Sequence, residues 1–350
     1  MAELTAALAP APARLPVNVL TGFLGSGKTT LLNRLLRSPA FANCAVLVNE
    51  FGEVGIDHHL IESVEGDVVL LPSGCICCTI RGDLSAALRK LYDQRERGSV
   101  PPFTRVLIET TGLADPTPVL ATVRHDAVLQ HHFRLGNVIT TVDVLHAAGQ
   151  LARHAESRKQ VALADRLVLT KADLAAPGVV ESLSAELALL NPAAAIGLAG
   201  EAGEDAELLL GQDVFQAEGK SAEVGRWLRA AQARQYFPVH RGNPNLHGDI
   251  ESFVLEPGAG IDWAVFSLWL SLLLHRHGRC VLRIKGLLQV EGADAPVVIH
   301  GVQQLMHPPE HLSRWPEGLH RSCVVFIVQG LEPARVLASW RAFHARLTRA

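Results

Sequence analysis

The sequence has no basic excess. It sets 32 Lys and Arg against 35 Asp and Glu, a formal net charge of -3, and has no long Lys/Arg run, so the electrostatic footprint of a nucleic-acid binder is missing. It also lacks an apolar run long enough for a bilayer. The most apolar stretch, Trp263 to Leu274, falls well short of the roughly 20 residues a spanning helix needs. Within it Trp263, Phe266, Leu270 and Leu274 recur at helical spacing, which predicts a core-facing helix instead. Residues 1–14 are rich in Ala and Pro, with an acid at Glu3 and no basic start followed by an apolar core; they predict a flexible leader rather than a signal peptide. With no export or membrane signal the expected compartment is the cytoplasm, where the six cysteines stay reduced. Charged residues make up only 19% of the chain and hydrophobic ones 48%, ample for two buried cores in 350 residues.

The most informative stretch is Gly22-Phe23-Leu24-Gly25-Ser26-Gly27-Lys28-Thr29, which fits the phosphate-binding pattern G-x-x-x-x-G-K-[ST]. It lies between an apolar strand-like run, Val17 to Leu20, and a helix-like run, Thr30 to Leu36. In that context the glycines let backbone N–H groups converge on phosphate oxygens, Lys28 reaches the β and γ phosphates, and the Thr29 hydroxyl is placed to ligate Mg²⁺. The expectation is a nucleoside triphosphate site.

Strand-like and helix-like segments then alternate for about 200 residues. Strand candidates are Val17 to Leu20, Ala45 to Val48, Val68 to Leu71, Val106 to Ile108, Val138 to Val142 and Leu167 to Leu169, separated by patterns such as Leu84, Ala87, Leu88, Leu91. Continuous apolar strands between helices predict an α/β fold with a mainly parallel sheet covered on both faces. Ligands of such sheets collect at the carboxyl ends of the strands, so segments that directly follow strands are expected to converge.

Three further segments follow strands in this way. The first, Asn49 to Asp57, is a glycine-bearing loop with carboxylates at Glu50, Glu53 and Asp57, suited to order around a γ-phosphate and Mg²⁺. In the second, Glu109-Thr110-Thr111-Gly112, a carboxylate at a strand end can hold the Mg²⁺ water shell and the glycine N–H can sense the γ-phosphate. The third is Thr170-Lys171-Ala172-Asp173, in which a carboxylate can accept from the N1 and N2 donors of guanine. Adenine offers no such pair, so Asp173 favours GTP over ATP. Thr170 stands where Asn is commoner in guanine-reading elements.

Gly74-Cys75-Ile76-Cys77-Cys78 sets this chain apart from ordinary GTPases. Cys75, Cys77 and Cys78 can ligate one soft or borderline cation such as Zn²⁺, which prefers a tetrahedron of S and N donors. Three ligands leave one position open, which suits transfer better than permanent scaffolding. The stretch reads as a loop. Cys75 and Cys78 also satisfy C-x-x-C spacing, so a redox pair stays open. Cys44, Cys280 and Cys323 lie in or beside apolar runs and read as core residues.

Taken in order, GFLGSGKTT, NEFGEVGID, GCICC, ETTGLADP and TKAD resemble the CobW-type family of metallochaperone GTPases, relatives of UreG and HypB. The resemblance runs from about Leu15 to the C-terminus, because Asp249 to Val328 is similar to that family's small C-terminal domain. It implies a P-loop GTPase domain over 15–216, a linker over 217–247 and an α+β domain over 248–346. It implies that Gly22 and Gly25 to Thr30 (Gly25, Ser26, Gly27, Lys28, Thr29, Thr30) and Gly112 bind the phosphates. Thr29 and Glu109 would hold Mg²⁺ directly or through water, and Lys28, Thr29 and Glu109 would be the catalytic set. Thr170, Lys171 and Asp173 would read guanine. Cys75, Cys77 and Cys78 would carry Zn²⁺, and GTP hydrolysis would drive delivery to a client apo-metalloprotein. The alternatives are Co²⁺ delivery for cobalamin or a nitrile hydratase-type enzyme, and a nucleotide-gated sensor or buffer that never passes metal on. Self-association into a homo-oligomer stays open.

The chain departs from the family pattern twice. Where some relatives carry a carboxylate two positions before the switch-loop Asn, it has Leu47 and Val48, so a metal ligand there must come from Glu50, Glu53 or Asp57. It has no histidine-rich run; its 16 histidines are scattered. No Gln or Arg is placed by motif to orient the attacking water, so slow hydrolysis without a partner is expected. The second domain is expected as strand Ile250 to Leu255, helix Trp263 to Leu274, strands Val281 to Leu288, Val297 to His300 and Cys323 to Val328, and helix Pro333 to Phe343.

Overall fold

A computed structural model describes residues 14–41, 43–49, 68–70, 76–80, 83–200, 209, 224, 249–316 and 320–347, with the backbone alone at 40, 49, 68–70 and 76–80. The first part of the chain runs β1 (Leu15–Gly22), α1 (Lys28–Leu36), β2 (Cys44–Asn49), β3 (Val68–Leu70), β4 (Ile76–Ile80), α2 (Leu84–Glu96), β5 (Arg105–Glu109), α3 (Thr117–His125) and α4 (Leu129–His132). It continues with β6 (Phe133–Asp143), α5 (Ala147–Arg153), α6 (Ala155–Leu163), β7 (Arg166–Thr170), α7 (Val179–Leu190) and β8 (Ala195–Leu198). The strands form one sheet in the order β3-β4-β2-β5-β1-β6-β7-β8. All neighbours are parallel except β3, which runs antiparallel to β4.

Apolar runs explain the interior position of these strands. Every residue of β7 is buried, as is nearly all of β1, because helices cover the sheet on both faces. On one side Leu31, Leu32 and Leu35 of α1 meet Leu20, Val46, Leu107, Ile139 and Val168. On the other, α2, α3 and α6 bury Leu88, Leu120 and Val161 against Val17, Val19, Val106 and Val138. Alternate strand residues thus serve opposite cores.

The second part contains β9 (Ile250–Leu255), α8 (Trp263–His277), β10 (Val281–Leu288), β11 (Val297–Val302), β12 (Leu305–Met306), β13 (Glu310–His311), β14 (Cys323–Gln329) and α9 (Pro333–Leu347). Its sheet is antiparallel, in the order β12-β11-β10-β14-β9, with β13 beside β11. Asp262 caps α8 by accepting from the Ala264 and Val265 amides at 2.7 and 3.1 Å, and His275, Arg276 and His277 close it with charge that suits a helix C-terminus. Phe266, Trp269 and Leu273 of α8 and Trp340 of α9 cover Val324, Phe326 and Val328. The opposite sheet face presents Leu282 and Ile327 to the first core, and Leu287, Cys323 and Val325 to a patch shared with Ala193.

The second sheet therefore lies directly on the first unit. Its β10 sends two cations across the joint. Arg283 donates to the Asp165 carboxylate and to the Leu163 carbonyl, while Lys285 Nζ lies 3.0 Å from Asp165 Oδ1 and donates to the Ala193 carbonyl at 3.1 Å. All three charged side chains are at most 5% exposed.

The structure adds to the sequence reading and corrects it. Strands β8, β12 and β13 were not anticipated. The stretch around Cys75 to Cys78 is not wholly a loop, because from Ile76 on it is strand β4, paired with β2 so that Val46 faces Cys77 and Leu47 faces Cys78. Cys44 and Cys323 are buried as expected, whereas Cys280 is only partly covered at the turn before β10. Residues 1–13 of the expected leader (1–14), the Glu50, Glu53 and Asp57 segment, Cys75, and the expected linker 217–247 except Val224 lie outside the described residues. Among the described residues no helix is long and apolar enough to cross a membrane.

Candidate nucleotide site

The phosphate loop joins β1 to α1 at the carboxyl end of the sheet. Gly22 ends the strand, and Gly27 occupies the N-cap of α1 at φ 83°, a left-handed backbone that glycine adopts without Cβ strain. Having no side chain, Gly27 leaves the first-turn amides of α1 without a side-chain cap, and no acidic residue sits in that turn. Such a helix start is an anion site by its dipole and its N–H groups. Buried Ser26 braces the loop from beneath, its Oγ 2.7 Å from Thr141 Oγ1 on β6. Thr30 is exposed in the first turn.

Lys28 curls over the loop, its Nζ donating to the Gly22 and Phe23 carbonyls at 3.0 and 3.2 Å. Burial pulls its pKa below the ordinary lysine value, and the neighbouring Glu109 carboxylate pulls it partly back. Thr29 Oγ1 donates to Glu109 Oε1 at 2.9 Å, across 80 residues of sequence. Glu109 ends β5 and is 4% exposed. A hydroxyl and a carboxylate meeting beside a phosphate loop are the oxygen donors that Mg²⁺ takes, so these side chains fit that ion.

The loop after β5 is pressed against the phosphate loop. A Cβ on Gly112 would stand 2.7 Å from the Leu24 amide nitrogen and 2.8 Å from its Cα, closer than side chains approach backbone. Buried Gln160 of α6 ties this loop down by donating to the Gly112 and Ala114 carbonyls at 3.1 and 3.0 Å. Lys159 pairs with Asp115 at 2.6 Å. Burial would raise the Asp115 carboxyl, but Lys159 and Thr117 outweigh it and hold it below the usual range.

The segment after β7 closes the other flank. Thr170 Oγ1 donates to the Ser26 carbonyl at 2.9 Å and lies 3.3 Å from that of Val142, so its hydroxyl braces the phosphate loop. Lys171 sits at φ 58° and its Nζ donates to the Gly25 carbonyl at 2.9 Å and to Asp143 Oδ2 at 2.7 Å. Asp173 is exposed on the 3-10 turn Ala172–Leu174 that follows.

The structure thus gathers Gly22, Gly25 to Thr30, Glu109, Gly112 and Thr170 to Asp173 at one end of the sheet. The sequence reading passed over Gln160, Asp143 and His146, although Asp143 ends a strand as the motif carboxylate Glu109 does. Among the described residues no three His, Cys, Asp or Glu are grouped to hold a metal. Of the thiol motif only the Cys77 and Cys78 backbone is described. Register places it two strands from β5, with Cys77 level with Leu107 and Cys78 level with Ile108. Strand spacing and rise then put the Cys78 Cα on the order of 10 Å from that of Glu109.

Comparison with known proteins agrees with both parts. Residues 16–197 match the CobW/HypB/UreG nucleotide-binding domain and residues 250–344 the cobalamin synthesis protein cobW C-terminal domain. The chain is 34% identical to the zinc chaperone YjiA of Escherichia coli over 313 residues, covering 89% of this chain and 93% of that protein. It is 31% identical to the zinc chaperone CobW of Pseudomonas aeruginosa, covering 83% and 81%. The crystal structure of the Zn(II)-bound YjiA GTPase from E. coli superimposes with a TM-score of 0.75 at 32% identity, covering 95% of this chain and 99% of that one. On these matches, the chain belongs to the CobW/HypB/UreG family.

Proposed function

We propose that this protein is a GTP-dependent metallochaperone that carries zinc on Cys75, Cys77 and Cys78 and passes it to a client apo-metalloprotein as GTP is hydrolysed. One observation carries the nucleotide half: Thr29 and Glu109 meet at 2.9 Å beside an uncapped helix start and a half-buried lysine. In this reading the α1 amides and Lys28 hold the phosphates and neutralise charge that develops on them. Thr29 and Glu109 hold Mg²⁺, which when bound supplies the remaining positive charge. Asp173 accepts from the guanine donors, while Thr170 braces the loop beneath.

The zinc half is supported by the names of the relatives and by the place of β4. Cys77 and Cys78 lie on a strand whose neighbour, β2, runs into the Glu50, Glu53 and Asp57 loop. In this reading the segment that follows β2 touches both the phosphates and the thiolates. Because Gly112 rests on Leu24, a change at the phosphates is felt at once by the loop after β5. Hydrolysis then loosens the ordered loops and with them the grip of the thiolates on the ion.

Linkage makes the coupling measurable. If triphosphate favours the zinc-bound state, zinc must tighten triphosphate binding by the same factor. Chelator competition with a GTP analogue, with GDP and without nucleotide is expected to give the tightest zinc binding with the analogue. Cys77→Ala is expected to abolish stoichiometric zinc while leaving GDP binding unchanged. Equal zinc affinity in all three states would falsify the coupling, and zinc retained by the Ala variant would move the site elsewhere.

A further inference from the structure

A stretch outside every nucleotide motif, residues 143–154, touches two consecutive residues of the phosphate loop and reaches a third through Lys171. The His154 ring lies 4.6 Å from the Phe23 ring, Gln150 Nε2 is 3.5 Å from the Leu24 carbonyl, and Asp143 reaches Gly25 through Lys171. The last of these is a built network. Asp143 ends β6 and is 2% exposed. Its Oδ1 accepts from the Leu145 amide at 2.9 Å, and its Oδ2 accepts from Lys171 Nζ at 2.7 Å with His146 Nδ1 2.8 Å away. The same Lys171 ammonium continues to the Gly25 carbonyl at 2.9 Å.

Lys171 also occupies a backbone state that side chains resist, φ 58°, and it is the N-cap of the turn that carries Asp173. A lysine holds such a conformation when both its ends are fixed. The head is fixed by two oxygens, and the residue before it is fixed by Thr170 to Ser26 and by the Val144 amide, which donates to the Thr170 carbonyl at 3.1 Å.

We infer that Asp143 is a positioning residue for nucleotide selection: it pins the Lys171 ammonium against Gly25 and thereby sets the turn that offers Asp173 to the base. This deepens the GTP reading above and rests on it. The Asp143 backbone pairs in register with Thr170, but its side chain meets the nucleotide motifs only through Lys171, so the effect of changing that side chain must vanish when Lys171 cannot receive it. His146 is the outer member of the network, 65% exposed, and shares the carboxylate without reaching the phosphate loop.

The test is a double-mutant cycle on the full chain, read by titration with fluorescent GDP and by GTP turnover. Asp143→Asn keeps an acceptor for the Leu145 amide and removes the charge. It is expected to raise the GDP Kd and the GTP KM about tenfold, the scale of one hydrogen bond to a charged group, with kcat at saturation within about twofold. Lys171→Met, which keeps the stem, should show the same loss, and the double variant should be no worse than either single one. Asp143→Ser is read in the same way should the Asn variant not fold. An unchanged Kd in the Asp143 variants, or losses that multiply in the double variant, overturns the inference. Asp173→Asn probes the underlying reading separately: it should shift preference from GTP toward XTP, whose 2-oxo group accepts the new amide. If GTP preference survives that change, the base-reading role of Asp173 falls, while the Asp143–Lys171 cycle still reports on the brace.

Discussion

Gly112 is the residue at which the site has least room. Its missing Cβ lets the loop after β5 rest on Leu24, and besides the movable Leu24 Cδ2 the obstructing atoms are a main-chain nitrogen and Cα that have no rotamer to escape into. Gly112→Ala therefore has to part the two loops, at a cost of about 1–3 kcal/mol, typical of overpacking. Because the strain falls between the phosphate loop and its neighbour, it should appear as weaker nucleotide binding. The GDP Kd is expected to rise about tenfold, or about 1.4 kcal/mol by the affinity relation. A variant that binds GDP like the parent would show that the loops are not in contact in solution.

At the scale of elements, α6 is the strut of the site, since it carries Lys159 and Gln160 to the loop after β5. Its C-terminal carbonyls are closed by a residue from the far end of α7. Asn191, fully buried, donates through Nδ2 to the Val161, Ala162 and Ala164 carbonyls at 2.8, 3.2 and 2.9 Å and accepts from the Ala193 amide at 3.1 Å. Asn191→Ala takes this amide from the Ala162 and Ala164 carbonyls in a site closed to water, while the Val161 carbonyl keeps the Ala164 amide at 3.3 Å, so a loss of about 2–3 kcal/mol is expected. Urea denaturation followed by helix signal reads it, and a midpoint within error of the parent would contradict the capping role. Most elements of the fold were legible in sequence because their patterns are strong: β1, β2, β5, β6 and β7 are continuous apolar runs, and the phosphate loop declares its own strand and helix. What was not legible is polar and long-range. Asn191, Gln160 and Asp143 sit beside apolar runs, and no periodicity indicates which distant carbonyl or ammonium each will meet. Strand β8 is a four-residue stretch, Ala195-Ile196-Gly197-Leu198, with a glycine inside it, three half-buried residues and an exposed Leu198, and β4 is interrupted in pattern by its cysteines, so neither shows the strong signal that marks the other strands.

At the scale of the molecule, the joint between the two sheets is set by charge as much as by hydrocarbon. Asp165 lies immediately before β7, the strand that leads to Thr170, and burial would raise its carboxyl; Arg283 and Lys285 outweigh this and hold it well below the usual range. His307, between β12 and β13, faces the same cluster. Burial first, then the Arg283 guanidinium, with Arg124 adding and Asp165 opposing, takes its pKa from 6.5 to about 3. Buried His300 next to it is lowered too, by burial and then by Lys285. The sign follows from linkage. Below pH 6.5 the unfolded chain takes up a proton on His307 that the folded chain refuses, so stability present above 6.5 is lost progressively as pH falls toward 3. Asp165 begins to cost stability only below its ordinary value of 3.8, so it is silent in the mildly acid range. Between pH 7.5 and pH 5 the His307 contribution amounts to about 2 kcal/mol at most. His307→Gln, which stays neutral, should flatten that part of the curve. Urea unfolding of parent and variant at the two pH values is the measurement: the parent should lose more stability than the variant on acidification. Equal losses would mean that His307 is protonated without cost, and that the joint between the sheets admits the charge its geometry excludes.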